Sequence, residues 1–134
     1  MNLNGLSKDN MTYELIKKSL DASTIRGKAI ANNLANINTK GYKRFNVSFE
    51  ESLKNASDEL EMKTTNEKHF KNGNDFGEIK VEQDESHSMR EDGNNVDLDN
   101  EKANQAANTL MYNALITQIN GRLSNTKYVI NGGR

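Results

Sequence analysis

Apolar residues recur at helical spacing at the two ends of this chain and lose their period between. From about Asp9 to Ile37, Met11, Leu15, Ala22, Ile25 and Ala29 form one stripe, and Ile16, Leu20, Gly27, Ile30 and Leu34 lie beside it. Intervals of three, four and seven predict a long amphipathic helix of roughly 40 Å. Gly27 either weakens its middle by about 1 kcal/mol or marks the close approach of another backbone. From Asp97 to about Tyr128 the period returns through Ala103, Ala106, Ala107, Leu110, Met111, Ala114, Leu115, Ile119 and Leu123. Asp97 or Asp99 suits the N-cap, and Glu101 suits the positive end of the helix dipole. Arg122 and Lys127 suit the negative end, and Gly132-Gly133 closes the pattern.

Residues 41–95 read as a loop-rich insert. Phe45, Val47 and Phe49 alternate as a short strand would, and a second strand is predicted at Glu78–Glu82. "EESLKNASDELEM" has room for a helical turn or two, and Asn72-Gly73, Phe76-Gly77 and Asp92-Gly93 are turn signals. The expected fold is therefore mainly α: long N- and C-terminal helices paired antiparallel, coiled-coil-like, around an insert with one short β-hairpin. The organisation reads as 1–40, first helix; 41–95, insert; 96–134, second helix. Two helices alone cannot hide stripes this wide, and the alanines of the second allow close approach of neighbours. The pattern implies completion by other subunits.

Composition sharpens this picture. With 134 residues the chain fits one domain, and only 34% of them are hydrophobic. A mean hydropathy of −0.90 argues against a large compact core. Eighteen basic residues against nineteen acidic ones provide no long-range attraction to nucleic acid or to an anionic membrane. Cysteine is absent, which excludes a disulfide framework, a thiolate nucleophile or a cysteine zinc site. Proline is absent as well, which suits uninterrupted helices. No secretory leader and no run of ~18 apolar residues is visible, so neither a cleaved signal nor a membrane span is expected.

Candidate chemistry is thin. His69 and His87 sit in the polar insert without a ligand pattern. "DGNNVDLDNE" (92–101) suggests a calcium loop but lacks glycine at the sixth position and glutamate at the twelfth. A turn followed by an N-cap explains it better. No nucleophile-elbow, phosphate-loop or dinucleotide motif occurs. The expectation is a protein that is not an enzyme and uses no cofactor and no metal.

"ANNLANINTKGYKRF" (31–45) is the unusual stretch. Asn32, Asn33, Asn36 and Asn38 crowd the end of the first helix, although asparagine costs roughly 0.5–0.7 kcal/mol relative to alanine there. Asn32, Asn33 and Asn36 share a helix face, where their amides could fix axial register against an adjacent chain. Gly41 can take positive φ as the chain leaves the helix, and Tyr42 offers a ring with a polar tip. The competing reading is a frayed, solvated helix end.

This stretch resembles the N-terminal signature of bacterial flagellar rod and hook proteins, ANN-[IL]-A-N…T-P-G-[YF]-K. The matching positions are Ala31, Asn32, Asn33, Leu34, Ala35, Asn36, Thr39, Gly41, Tyr42 and Lys43. Lys40 stands where the family usually has proline, which leaves the turn looser. Phe45, Val47 and Phe49 with the following "ESL", Thr65 with Lys68-His69, "DGNNVDLDNE", and "LMYNALITQINGRL" (110–123) resemble the proximal rod members. The resemblance spans nearly the whole chain.

It implies terminal helices paired in the inner coiled-coil layer of a helical axial assembly, with the insert outside. It also implies a structural subunit of the basal-body rod, which transmits torque, encloses an export channel, and leaves the cell uncleaved through the flagellar type III apparatus into the cell envelope. Implied partners are other rod proteins, the rod-base adaptor, the membrane-ring protein, the export apparatus and copies of itself. The assembly residues are Asn32, Asn33, Leu34, Asn36, Gly41, Tyr42 and Lys43, with Leu110, Leu115, Ile119 and Leu123. Two alternatives stand beside it: a small secreted helical-hairpin effector or adaptor, and a nucleic-acid-binding hairpin using Lys40, Lys43 and Arg44.

Overall fold

The computed structural model describes residues 3–54, 77–88 and 90–133. Helix α1 runs over Leu3–Ala35 and helix α2 over Leu98–Ile130, 33 residues each, or roughly 50 Å at 1.5 Å per residue. Between them lie strand β1 (Phe45–Ser48), a helical turn at 50–54 and strand β2 (Lys80–Gln83). Helix α1 begins some residues before the expected Asp9 and runs through Gly5 and Ser7. Helix α2 starts after Asp97, whose carboxylate accepts hydrogen bonds from the Asp99 and Asn100 N–H groups at 2.9 and 3.2 Å. Of the two N-cap candidates in the sequence, Asp97 and Asp99, it is Asp97 that serves.

The two helices pack along each other. Ser23 meets Asn108, while Asn33, roughly three turns further along α1, meets Glu101 nearer the start of α2, so the helices run antiparallel. The covered positions recur every seven residues: Ile16, Ser23 and Ile30 on α1, with Ser19, Arg26 and Asn33 beside them, against Glu101, Asn108, Leu115 and Arg122 on α2. This is a coiled-coil spacing with an unexpectedly polar seam. Ser23, Asn33 and Glu101 are buried outright, and the apolar core is small: Ile16, Ala22, Ala29, Ile30, Phe49 and Val96. The expected apolar stripes are therefore rotated away from part of the contact. Met11 is exposed and Leu15, Leu20, Ile25, Gly27 and Leu34 are half-buried. Gly27 faces the Asn108 side chain, and a Cβ there would lie 3.5 Å from Asn108 Nδ2, in ordinary contact. No backbone presses on it.

The expected strands exist and pair antiparallel, Phe45 opposite Gln83 and Ser48 opposite Lys80. They form no tight hairpin, because residues 49–79 separate them. The second strand also lies about two residues later than the predicted Glu78–Glu82. β1 packs on α1, and Phe49 just beyond it is the largest fully buried side chain. Gly77 sits at φ +71°, where any Cβ would come within 2.6 Å of the Ser52 backbone, so this crossing requires glycine. Beside it the Glu78 N–H donates to Ser52 Oγ at 2.9 Å. Of the other expectations for the insert, the turn at Asn72-Gly73, His69, Thr65, Lys68 and residues 55–62 of the predicted helical run lie outside the described residues.

Candidate functional site

The two motifs that stood out in the sequence meet each other. Asn33 is fully buried on α1, and every polar atom of its amide is engaged inside its own chain. Its Nδ2 donates to the Phe45 carbonyl at 2.9 Å and to Glu101 Oε2 at 3.2 Å. Its Oδ1 accepts from the Phe45 N–H at 2.8 Å and from the Tyr42 hydroxyl at 3.2 Å. One side chain thus ties α1 to the start of β1 and to the first turn of α2. Tyr42 reaches Asn33 because Gly41, at φ +71°, turns the chain back after the helix. The Tyr42 ring then packs edge-on against Phe45 at 6.2 Å. Burial, with the Glu101 charge adding to it, raises the Tyr42 phenol pKa, so the hydroxyl stays a donor.

Asn94 does the complementary work from the other motif. The chain leaves α1 through a turn over residues 36–41, whose carbonyls need partners. Asn94, fully buried, donates its amide to the carbonyls of Asn36, Ile37 and Thr39 at 3.0, 3.0 and 2.9 Å. Its Oδ1 accepts from the Val96 N–H at 2.8 Å. Arg90 adds a second donor to the Ile37 carbonyl at 3.1 Å. The Gly41 N–H donates to the Asp92 carbonyl at 2.8 Å, and the Asn95 side chain bridges the Arg44 N–H and the Asp84 carbonyl. The segment that resembled a calcium loop is therefore a capping segment: Asp92, Asn94 and Asp97 all accept from backbone N–H groups.

Charged groups brace this joint. Arg44 lies between Asp84, 3.3 Å from its Nε, and the buried Glu101, 3.9 Å from its Nη1. Its Nε is buried without an aligned hydrogen-bond partner, so charge alone holds it. Arg26 Nη2 contacts both Glu50 carboxylate oxygens, at 2.8 and 2.7 Å, and ties the turn at 50–54 to α1. A groove of about 400 Å³ opens between α1, β1 and α2, with Arg26, Glu50, Arg44, Glu101, Asn104 and Asn108 on its walls.

The Glu50 carboxyl is opposed by burial, but hydrogen bonds from Arg26 and from backbone N–H groups outweigh that and lower its pKa. The Ser86 side chain and N–H lower that of Asp84. A depressed folded-state pKa means stabilisation that is complete above the ordinary carboxylate range and lost as pH falls through the lowered values. The melting temperature should accordingly drop on acidification below about pH 4, and Glu50→Gln should flatten part of that dependence. Thermal melts at neutral and acid pH check this.

The remaining sequence-predicted positions separate into two groups. At the α1 end, Asn32 is exposed, Leu34 is half-buried, and Asn36 folds its amide back onto the Asn32 carbonyl at 2.8 Å. Lys43 Nζ donates to the Ser86 carbonyl at 2.8 Å. On α2, Leu115 and Ile119 are half-buried against α1, whereas Leu110 is 71% exposed and Leu123 is 51% exposed. Ala103, Ala106, Ala107 and Ala114 continue the open stripe around Leu110, and Tyr128, Val129 and Ile130 extend the exposed apolar surface to the helix end. Sequence reasoning missed Asn94, Asn95, Ser23 and Asn108 as structural partners. Polar residues in a turn or on a helix normally read as solvated, and only their unusual density marked them.

A helical hairpin with one open apolar face has the build of a structural subunit. Residues 20–43 match the family described as Flagella basal body rod protein. The FlgB flagellar basal body rod protein of Bacillus subtilis is 33% identical over 92% of this chain and 95% of its own length. The FlgB protein of Borrelia hermsii is 32% identical over 81% of this chain and 87% of its own, and that of Proteus mirabilis 28% over 96% and 99%. The chain belongs to the FlgB family of flagellar basal body rod proteins, structural subunits of the rod. These relatives give no support to the effector or adaptor alternative.

Proposed function

We propose that this chain is a mechanical subunit near the base of the rod, whose copies and relatives stack helically, carry torque and leave a central channel for export. The observation that supports this most directly is the uncovered apolar face of α2, centred on Leu110 and Leu123 and continuing to Ile130. Contiguous apolar surface of this kind marks a contact site. Together with Asn32, Leu34, Gly41, Tyr42 and Lys43 at the α1 end, it would form the lateral contacts. Asn33 and Asn36 would contribute by shaping that end rather than by touching a neighbour.

In this reading the partners are copies of the chain, other rod proteins, the rod-base adaptor and the membrane-ring protein. Delivery is through the flagellar type III export apparatus. The role is structural and not catalytic. Imaging of basal bodies from cells lacking the gene, with and without complementation, tests it. The expected result is rings without a rod and non-motile cells, restored by the gene. Complete rods in its absence would refute the proposal.

A further inference from the structure

We infer that residues 33–45 and 92–101 form a register lock, completed within a single chain, that fixes the axial stagger of α1 against α2 before any neighbour docks. This is a property of the isolated chain and stands independently of the rod reading.

The seam between the helices cannot set that stagger by apolar fit alone. Its covered positions include Ser23, Asn33, Glu101 and Asn108, and Ala22 and Ala29 are small enough to slide. Because those positions recur every seven residues, a slip of one heptad would keep the same two helix faces in contact and change only which side chains meet. What distinguishes the observed register is directional. Only here does Asn33 reach Glu101 Oε2 at 3.2 Å while also holding Phe45. Only here does Ser23 exchange hydrogen bonds with Asn108, at 2.9 and 3.0 Å.

Asn94 supplies the decisive constraint. It sits only three residues before the α2 N-cap Asp97, and its amide is spent on three carbonyls of the turn that directly follows α1. The end of one helix is thereby fastened next to the start of the other. A heptad slip moves α2 by roughly 10 Å along its axis. It would pull Asn94 off all three carbonyls and leave buried Glu101 without Asn33, a steep penalty for buried polar groups.

Pairwise cysteine cross-linking reads this directly, because the chain contains no cysteine of its own. In dilute full-length protein, Ser23→Cys is combined either with Asn108→Cys, which reports the observed register, or with Leu115→Cys, which reports a slip of one heptad. With the lock intact, oxidation should favour the 23–108 bridge by more than about tenfold. Asn94→Ala should bring the two bridges to within about threefold, with the slipped product appearing. Asn94→Asp keeps the shape but removes the donor, so it should behave like the alanine variant. Retained tenfold selectivity in either variant would overturn the lock. Loss of both bridges together with the far-ultraviolet helical signal would also overturn it, showing that Asn94 sustains folding rather than register.

Discussion

Replacing Asn33 with leucine should destabilise the chain by about 3–5 kcal/mol, although leucine is the better helix former. The side chains are similar in size, so the loss comes from polarity. The substitution leaves the Phe45 N–H and carbonyl without their partner, removes the acceptor of the Tyr42 hydroxyl, and takes a donor from buried Glu101. Each orphaned buried group costs roughly 1–3 kcal/mol, and the buried carboxylate lies at the upper end. Asn33→Asp should be as damaging, since a second carboxylate would face Glu101 and could donate to nothing. Chemical denaturation of the purified chain measures the effect. A loss below about 1 kcal/mol would mean that water replaces Asn33 freely, and the account of the joint would fail.

The opposite behaviour is expected on α2. Leu110→Asp with Leu123→Asp should leave the isolated chain within about 0.5 kcal/mol of the wild type, because both positions are largely exposed there. In the cell the same pair should abolish rod assembly and motility. Covering each leucine is worth roughly 1.5–3 kcal/mol, and each is replaced by a charge that would have to be buried unpaired. Thermal melts of the isolated protein and soft-agar swarming of a complemented deletion strain separate the two readouts. Normal swarming would show that this face meets no neighbour, while a large drop in melting temperature would show that it is part of the chain's own core.

The helices and their antiparallel pairing were legible in the sequence because periodicity over many turns is a strong signal, and Asp97 announced its own cap. The first strand was legible as β-branched and aromatic alternation, and a short hairpin was expected; the two strands do pair, but residues 49–79 join them rather than a tight turn. The asparagines were legible as unusual but not as intramolecular. Asn33 was expected on a surface shared with another chain, and it lies in the interior of its own. A one-dimensional pattern shows that an amide is out of place in a helix. It does not show whether the group that satisfies that amide belongs to the same molecule. Asn94 was less visible still. A turn-rich run such as "DGNNVDLDNE" looks solvated, and nothing local reveals that its third residue holds the turn following a helix that ends more than fifty positions earlier.

That distant cap changes how load crosses the molecule. A push delivered along one long helix need not follow the covalent backbone through strands and turns to reach the other. It passes through a handful of side-chain amides gripping carbonyls, a short stiff bridge that bypasses the whole excursion between residues 45 and 84.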